Sequence, residues 1–256
     1  MCCFSRPVYA VEGTKIYARA EGPRQLVVYE MRVGAREELA MVLPIPVAEG
    51  AGEDAISFVD LSGSPAFFRA LEFAFREHEI VPQSRGGEKS ARLAVQQVGA
   101  FEASFVPSAA DFDRLDPRFA IASDVWRGIP SVAGFGFVVF RLRTPPDARG
   151  FLARTFGGPR SEATPYHPMA FWFPRRDPTR TFFPTLHIHD GAAHARARFD
   201  HWLYTQAAVC PTGWTAGRFG FRDGMMGPGK ELVLDGPGQR LRIEGEHANT
   251  DTWIAG

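Results

Sequence analysis

Two histidines, His187 and His189, stand two residues apart in a segment rich in Thr, Phe, Leu and Ile that reads as a β-strand over residues 181–190. Alternate side chains of a strand share a face, so the two imidazoles lie on one side, about 7 Å apart at Cα, with Leu186 and Ile188 on the other. Two imidazoles at that spacing can converge on one metal ion. In the following segment, 194–204, His194, Arg196 and Arg198 alternate with Ala195, Ala197, Phe199, His201 and Leu203, which puts His201 on the apolar face. From there His201 is placed to be a third ligand, and Asp190 and Asp200 are available to accept the ring N–H groups, as metal-bound histidines require. Five of the seven histidines fall within residues 167–201.

The second concentration of reactive groups is at the other end of the chain, where Cys2 and Cys3 follow Met1. Thiolates folded back onto the imidazoles complete an N/S donor set that suits copper or zinc far better than magnesium or calcium. Were Met1 removed, Cys2 would pair a thiol nucleophile with a free α-amine as base. Over those couple of residues the chain resembles N-terminal nucleophile hydrolases, and no roles are carried over from them. Tyr204, three residues after His201, is a candidate for relaying an electron or proton. Cys210 and His167 receive no role from their spacing.

These residues make the chain, as a sequence, a metal-dependent oxidoreductase acting on a small molecule, with copper favoured over zinc. His187, His189, His201, Cys2 and Cys3 are the expected ligands, and Tyr204, Cys2 and Cys3 the expected catalytic groups. The alternatives are a cysteine-nucleophile hydrolase using Cys2 or Cys3 with a histidine base, and a non-catalytic metal-binding protein.

The elements that must position these groups are mostly strands. Residues 25–33 and 38–47 flank a short Gly-containing link and read as a hairpin, with Pro44 and Pro46 marking an edge. Further strands are expected over 55–61, 92–99, 101–107 and 134–143, then a three-stranded meander over 167–174, 181–190 and 194–204, then 231–235 and 240–244. Two short helices interrupt them. One, over 64–77, starts at Ser64-Pro65 and carries apolar residues at helical spacing; the other spans 108–115 with an Asp-rich beginning. Helices that do not alternate with strands exclude a doubly wound parallel sheet and leave an α+β, strand-dominated, mostly antiparallel fold. Residues 1–256 make a single domain or two packed halves with a boundary near 144–166, a stretch rich in Gly and Pro.

Composition narrows the partners. Lys+Arg number 29 against 29 Asp+Glu, and a net charge of zero removes the cationic excess by which nucleic acids and anionic membranes are bound. That leaves a small-molecule substrate, with the oligomeric state undetermined. No stretch approaches the roughly 18 apolar residues of a membrane span, and no leader-like segment opens the chain, so a cytoplasmic location is expected. Three cysteines, two of them adjacent, do not form a disulfide framework.

Overall fold

A computed structural model describes residues 2–75, 97–98, 101–142, 163–220 and 227–255. In chain order the strands are β1 (Cys2–Phe4), β2 (Ala10–Glu21), β3 (Arg24–Gly34), β4 (Leu39–Ile45), β5 (Ser57–Asp60), β6 (Gln97–Val98), β7 (Phe101–Val106), β8 (Gly136–Leu142), β9 (Thr164–Pro165), β10 (Met169–Pro174), β11 (Arg180–Phe183), β12 (His187–Ile188), β13 (Arg196–Thr205), β14 (Thr215–Phe219), β15 (Gly236–Ala248) and β16 (Thr252–Ala255). The helices are short: α1 (Phe67–Phe73), α2 (Ser123–Arg127) and α3 (Gly229–Leu232), with 3₁₀ turns at Ala109–Arg114 and Pro130–Val132. The fold is the strand-dominated α+β class that the pattern of the sequence implies.

Two sheets face one another. One has the order β12-β1-β4-β8-β7-β6, the other β14-β15-β13-β2-β3-β10-β5 with β9 beside β3, and β11 and β16 form a separate pair. Pairing is antiparallel except for β1 with β12 and β2 with β13, which are parallel. Between the sheets lies the main core, where Val27, Tyr29 and Met31 of β3 and Phe171 of β10 meet residues of β4 and β8. The alternate residues of the larger sheet, Tyr17, Leu26, Val28 and Tyr204, form a second core under Phe67, Phe68 and Leu71 of α1. β4 is buried at every position because both its faces are covered. In the neighbouring strand, Phe140 packs against Phe171 of the opposite sheet, while Phe137 turns the other way onto Phe112 and Trp126.

The pairing departs from the expected order. β3 and β4 are not a hairpin; β3 pairs with β2, through a two-residue Gly22-Pro23 loop. Gly22 has φ +54°, the positive first position that matches the twist of hairpin strands. The link after Gly34 instead carries the chain to the other sheet. Pro44 does face an edge: β1 covers β4 only at Met41 and Val42, so Pro44 is paired with Phe137 alone. The segment 167–204 is likewise not a meander. β10 lies between β3 and β5, β11 pairs with β16, β12 with β1, and β13 between β15 and β2. Pro174, Pro178 and Pro184 punctuate that run, and each removes an amide donor that neighbouring hairpin arms would exchange.

Other boundaries shift. The expected cap Ser64 lies before α1, and its Oγ instead accepts the Gly229 amide. The helix expected over 108–115 is the 3₁₀ turn, with Ser108 Oγ donating to Asp111. Residues 231–235 begin as the end of α3, and the strand expected over 240–244 is the longer β15. Most of the strand expected over 92–99, the end of the first helix at 76–77 and most of the 144–166 boundary lie outside the described residues.

Candidate functional site

The cleft that concerns function opens where the larger sheet forks. β13 pairs with β2 only from His201 opposite Thr14 to Thr205 opposite Ala18. Before that, a register shift between Glu12 and Lys15 turns β2 away, with Gly13 in the left-handed region at φ +60°. Residues 196–200 of β13 then have β15 on one side and no strand on the other among the described residues. The fork exposes both faces of β13, so Arg198 and Asp200 line the same cleft as Phe199 and His201. The cleft has a volume of about 490 Å³.

β12 closes the inner end. It is only two residues long, and neighbouring side chains hold it. The amide of His187 donates to Asn249 Oδ1 at 2.7 Å, and Asn249 Nδ2 donates back to the carbonyls of His187 and His194, both at 2.9 Å. Asn249 thus takes the place of a neighbouring strand. Just upstream, Asp251 Oδ1 accepts the amides of Thr185 and Leu186 at 2.8 and 2.9 Å. On its other side β12 pairs with β1, Cys2 opposite His187 and Cys3 opposite Ile188.

This framework brings the three expected imidazoles together. His187 Nε2 and His201 Nε2 are 3.2 Å apart, and the rings of His187 and His189 stack with centroids 5.0 Å apart and planes 26° from parallel. Phe199 packs on both His187 and His201. His201 Nδ1 accepts the Asp200 amide, so in neutral His201 the proton is on Nε2 and is donated to His187 Nε2. His187 then carries its own proton on Nδ1. Burial disfavours the charged form of each ring, and neighbouring imidazoles add to this at His187 and His201. His187 is pushed down to about 2, His189 to about 4, and His201 well below the usual imidazole range. At neutral pH the cluster is three uncharged rings. His189 Nε2 is buried in it with no hydrogen-bond partner among the described residues.

Among the described residues no group of three or more His, Cys, Asp or Glu side chains is arranged to hold a metal ion. This overturns the reading as a metal-dependent oxidoreductase, and with it the metal-binding alternative. Two of the ring nitrogens face one another at 3.2 Å, and the rings of His187 and His189 stack 26° from parallel. The acids expected to support the ligands are engaged elsewhere. Asp190 accepts from His194 Nε2 at 2.8 Å, and Asp200 accepts the Gly13 amide and pairs with Arg242.

Cys2 apart, the remaining candidates are directed away from the three imidazoles. Cys3 is fully buried in the core between the sheets, its Sγ donating to the Leu186 carbonyl at 3.7 Å. Cys2 is placed by its backbone opposite His187. Tyr204, an odd number of residues from His201, projects from the opposite face of β13 into the second core against Phe68 and Phe75, with its hydroxyl unpartnered. Cys210 is exposed, donating to the Trp214 carbonyl. His167 lies against Phe101. Residues that sequence reasoning passed over include Tyr9, Thr14, Arg198 and Arg242 of the cleft wall, and Asn249. Gly13 within a strand was the available signal for the fork; Asn249 offered none, because its partners are backbone groups far along the chain.

The architecture is a pair of facing sheets with a helix on the outer face of the larger one. No family model matches the chain, and no curated protein matches it. Among solved structures it is similar to the crystal structure of baculovirus P35, at 10% identity and a TM-score of 0.45 over 99% of each chain.

Proposed function

We propose that the imidazole cleft is a binding site for a small polar molecule. The observation that carries this reading is a cleft of about 490 Å³ with His187, His189 and His201 in its wall beside apolar and hydrogen-bonding side chains. The mixture of apolar wall, from Val8, Val11 and Phe199, and polar groups, from Tyr9 and Thr14, is that of a small-molecule site.

The depressed proton affinity of the rings favours binding over general-base catalysis. A base works best when its pKa is near the operating pH, and His187 at about 2 and His189 at about 4 lie far below it. A neutral imidazole, by contrast, donates at one nitrogen and accepts at the other. Among the described residues no helix is long and apolar enough to cross a membrane.

The test is a panel of several hundred small polar compounds screened by ligand-observed NMR against the native chain and Val11→Trp, which fills the mouth of the cleft. The reading expects compounds that bind the native chain and lose binding in Val11→Trp. A panel with no such compound contradicts it.

A further inference from the structure

We infer that the occupant of the cleft is a small carboxylate with an apolar body, its oxygens on the Arg198 guanidinium and its body against Val8, Val11 and Phe199. The inference rests on the reading of the cleft as a binding site and adds the chemical class of what enters it.

The first support is the distribution of charge. Four charged residues line the cleft: Arg198, Asp200, Arg242 and Glu244. Three of them engage one another, since Arg242 pairs with both Asp200 and Glu244. Arg198 makes no ion pair among the described residues. Its cross-strand neighbour, Glu246, is taken by Arg196 at 2.7 Å, and Asp200, on its own face of β13, is taken by Arg242. A guanidinium stays charged at any physiological pH and presents a planar fork of donors matched to two carboxylate oxygens.

The second support is independent of charge. His189 lines the same wall, so the cleft sets an imidazole beside the guanidinium fork. A carboxylate accepts at both oxygens and needs no donor of its own. The Arg242 set, one cation between two carboxylates, is net negative. Together with Arg198 the wall is neutral, which accommodates one negative charge at Arg198 and disfavours a dianion such as a phosphate monoester beside Asp200 and Glu244. The apolar wall supplies the place for the rest of the molecule.

The probes are benzoate, benzamide and phenyl phosphate, matched in ring and differing in charge. They are titrated by calorimetry into the native chain, Arg198→Gln and Arg198→Lys, with the ring ¹⁵N signals of His189 recorded in parallel. Arg198 is exposed on β13, so its replacement leaves the fold intact. The inference expects benzoate to bind at least tenfold more tightly than either analogue and to move the His189 signals. Arg198→Gln should erase that preference while leaving benzamide unchanged, and Arg198→Lys should keep part of it. Benzamide or phenyl phosphate binding as well as benzoate, or Arg198→Gln leaving benzoate unaffected, overturns the carboxylate class. So does silence from all three probes while other polar compounds occupy the cleft, and in each of these cases the binding reading stands. Only a cleft that takes nothing from the wider panel removes that reading as well.

Discussion

His187 Nε2 and His201 Nε2 lie 3.2 Å apart and form a hydrogen bond that crosses from one sheet to the other, because β12 belongs to the six-stranded sheet and β13 to the larger one. Both rings are buried, at 6% and 2% exposure, so breaking the bond strands a nitrogen away from water. His201→Leu is expected to lower stability by about 1–3 kcal/mol, and His187→Leu by a similar amount. The double variant should cost less than the sum, because no partner is then left unpaired. Urea denaturation of the four proteins measures this; strict additivity would mean that the bond does not couple the sheets.

Stability should fall on mild acidification. The folded values of His187, His189 and His201 lie below the ordinary imidazole value near 6.5, so unfolding takes up protons as pH drops from neutral. Their contribution is fully present above about pH 6.5 and is lost progressively as pH falls toward the folded values. Asp251 acts in the opposite sense. Burial holds it up at about 6, so its contribution is full below about pH 4 and is lost as pH rises through about 6. Three imidazoles outweigh one carboxyl, so the net stability should fall between pH 7 and pH 4. His189→Gln should make the pH dependence of the urea midpoint shallower; an unchanged slope would show that His189 is not held neutral.

Asn249 fixes the strand that carries His187. Asn249→Ala removes three hydrogen bonds to backbone groups of His187 and His194, and a loss of about 2–4 kcal/mol is expected. Amide exchange at His187 should quicken more than at core positions of β4. Uniform acceleration across both strands would mean that Asn249 acts on global stability alone.

Tyr204 is expected to be dispensable to the cleft. Its hydroxyl is buried without a partner among the described residues, so Tyr204→Phe should leave stability unchanged or raise it by up to about 1 kcal/mol. Binding in the cleft should be unaffected. A variant that folds normally but binds more weakly would place Tyr204 back in the site.

Much of the site's placement could be read from the sequence. Period-two alternation put His201 inward with Phe199 and Leu203, and set His187 and His189 on one face. The chemistry was not legible, because ring orientation is decided by contacts from distant segments: Asn249 from 62 residues away holds the His187 backbone, and the Asp200 amide fixes the tautomer of His201. The even spacing of His187 and His189 suggested convergence on an ion; stacking turned it into side-by-side contact. Tyr204 was drawn to the site by nearness in sequence, although the alternation that placed His201 inward also sends Tyr204 to the opposite face. Strand identity was similarly local and largely recoverable. Strand partnership was not: β1 finds β12 across most of the chain, and Ala35–Glu38, short enough for a hairpin, joins two sheets instead.

The most direct test of the cleft as a binding site is the ring ¹⁵N spectrum of His187, His189 and His201, recorded as the tightest compound from the panel is added to the native chain. The account predicts a saturable shift that is larger at His189 than at the hydrogen-bonded His187–His201 pair. Saturable binding that leaves all three rings unmoved would place the ligand elsewhere and contradict it.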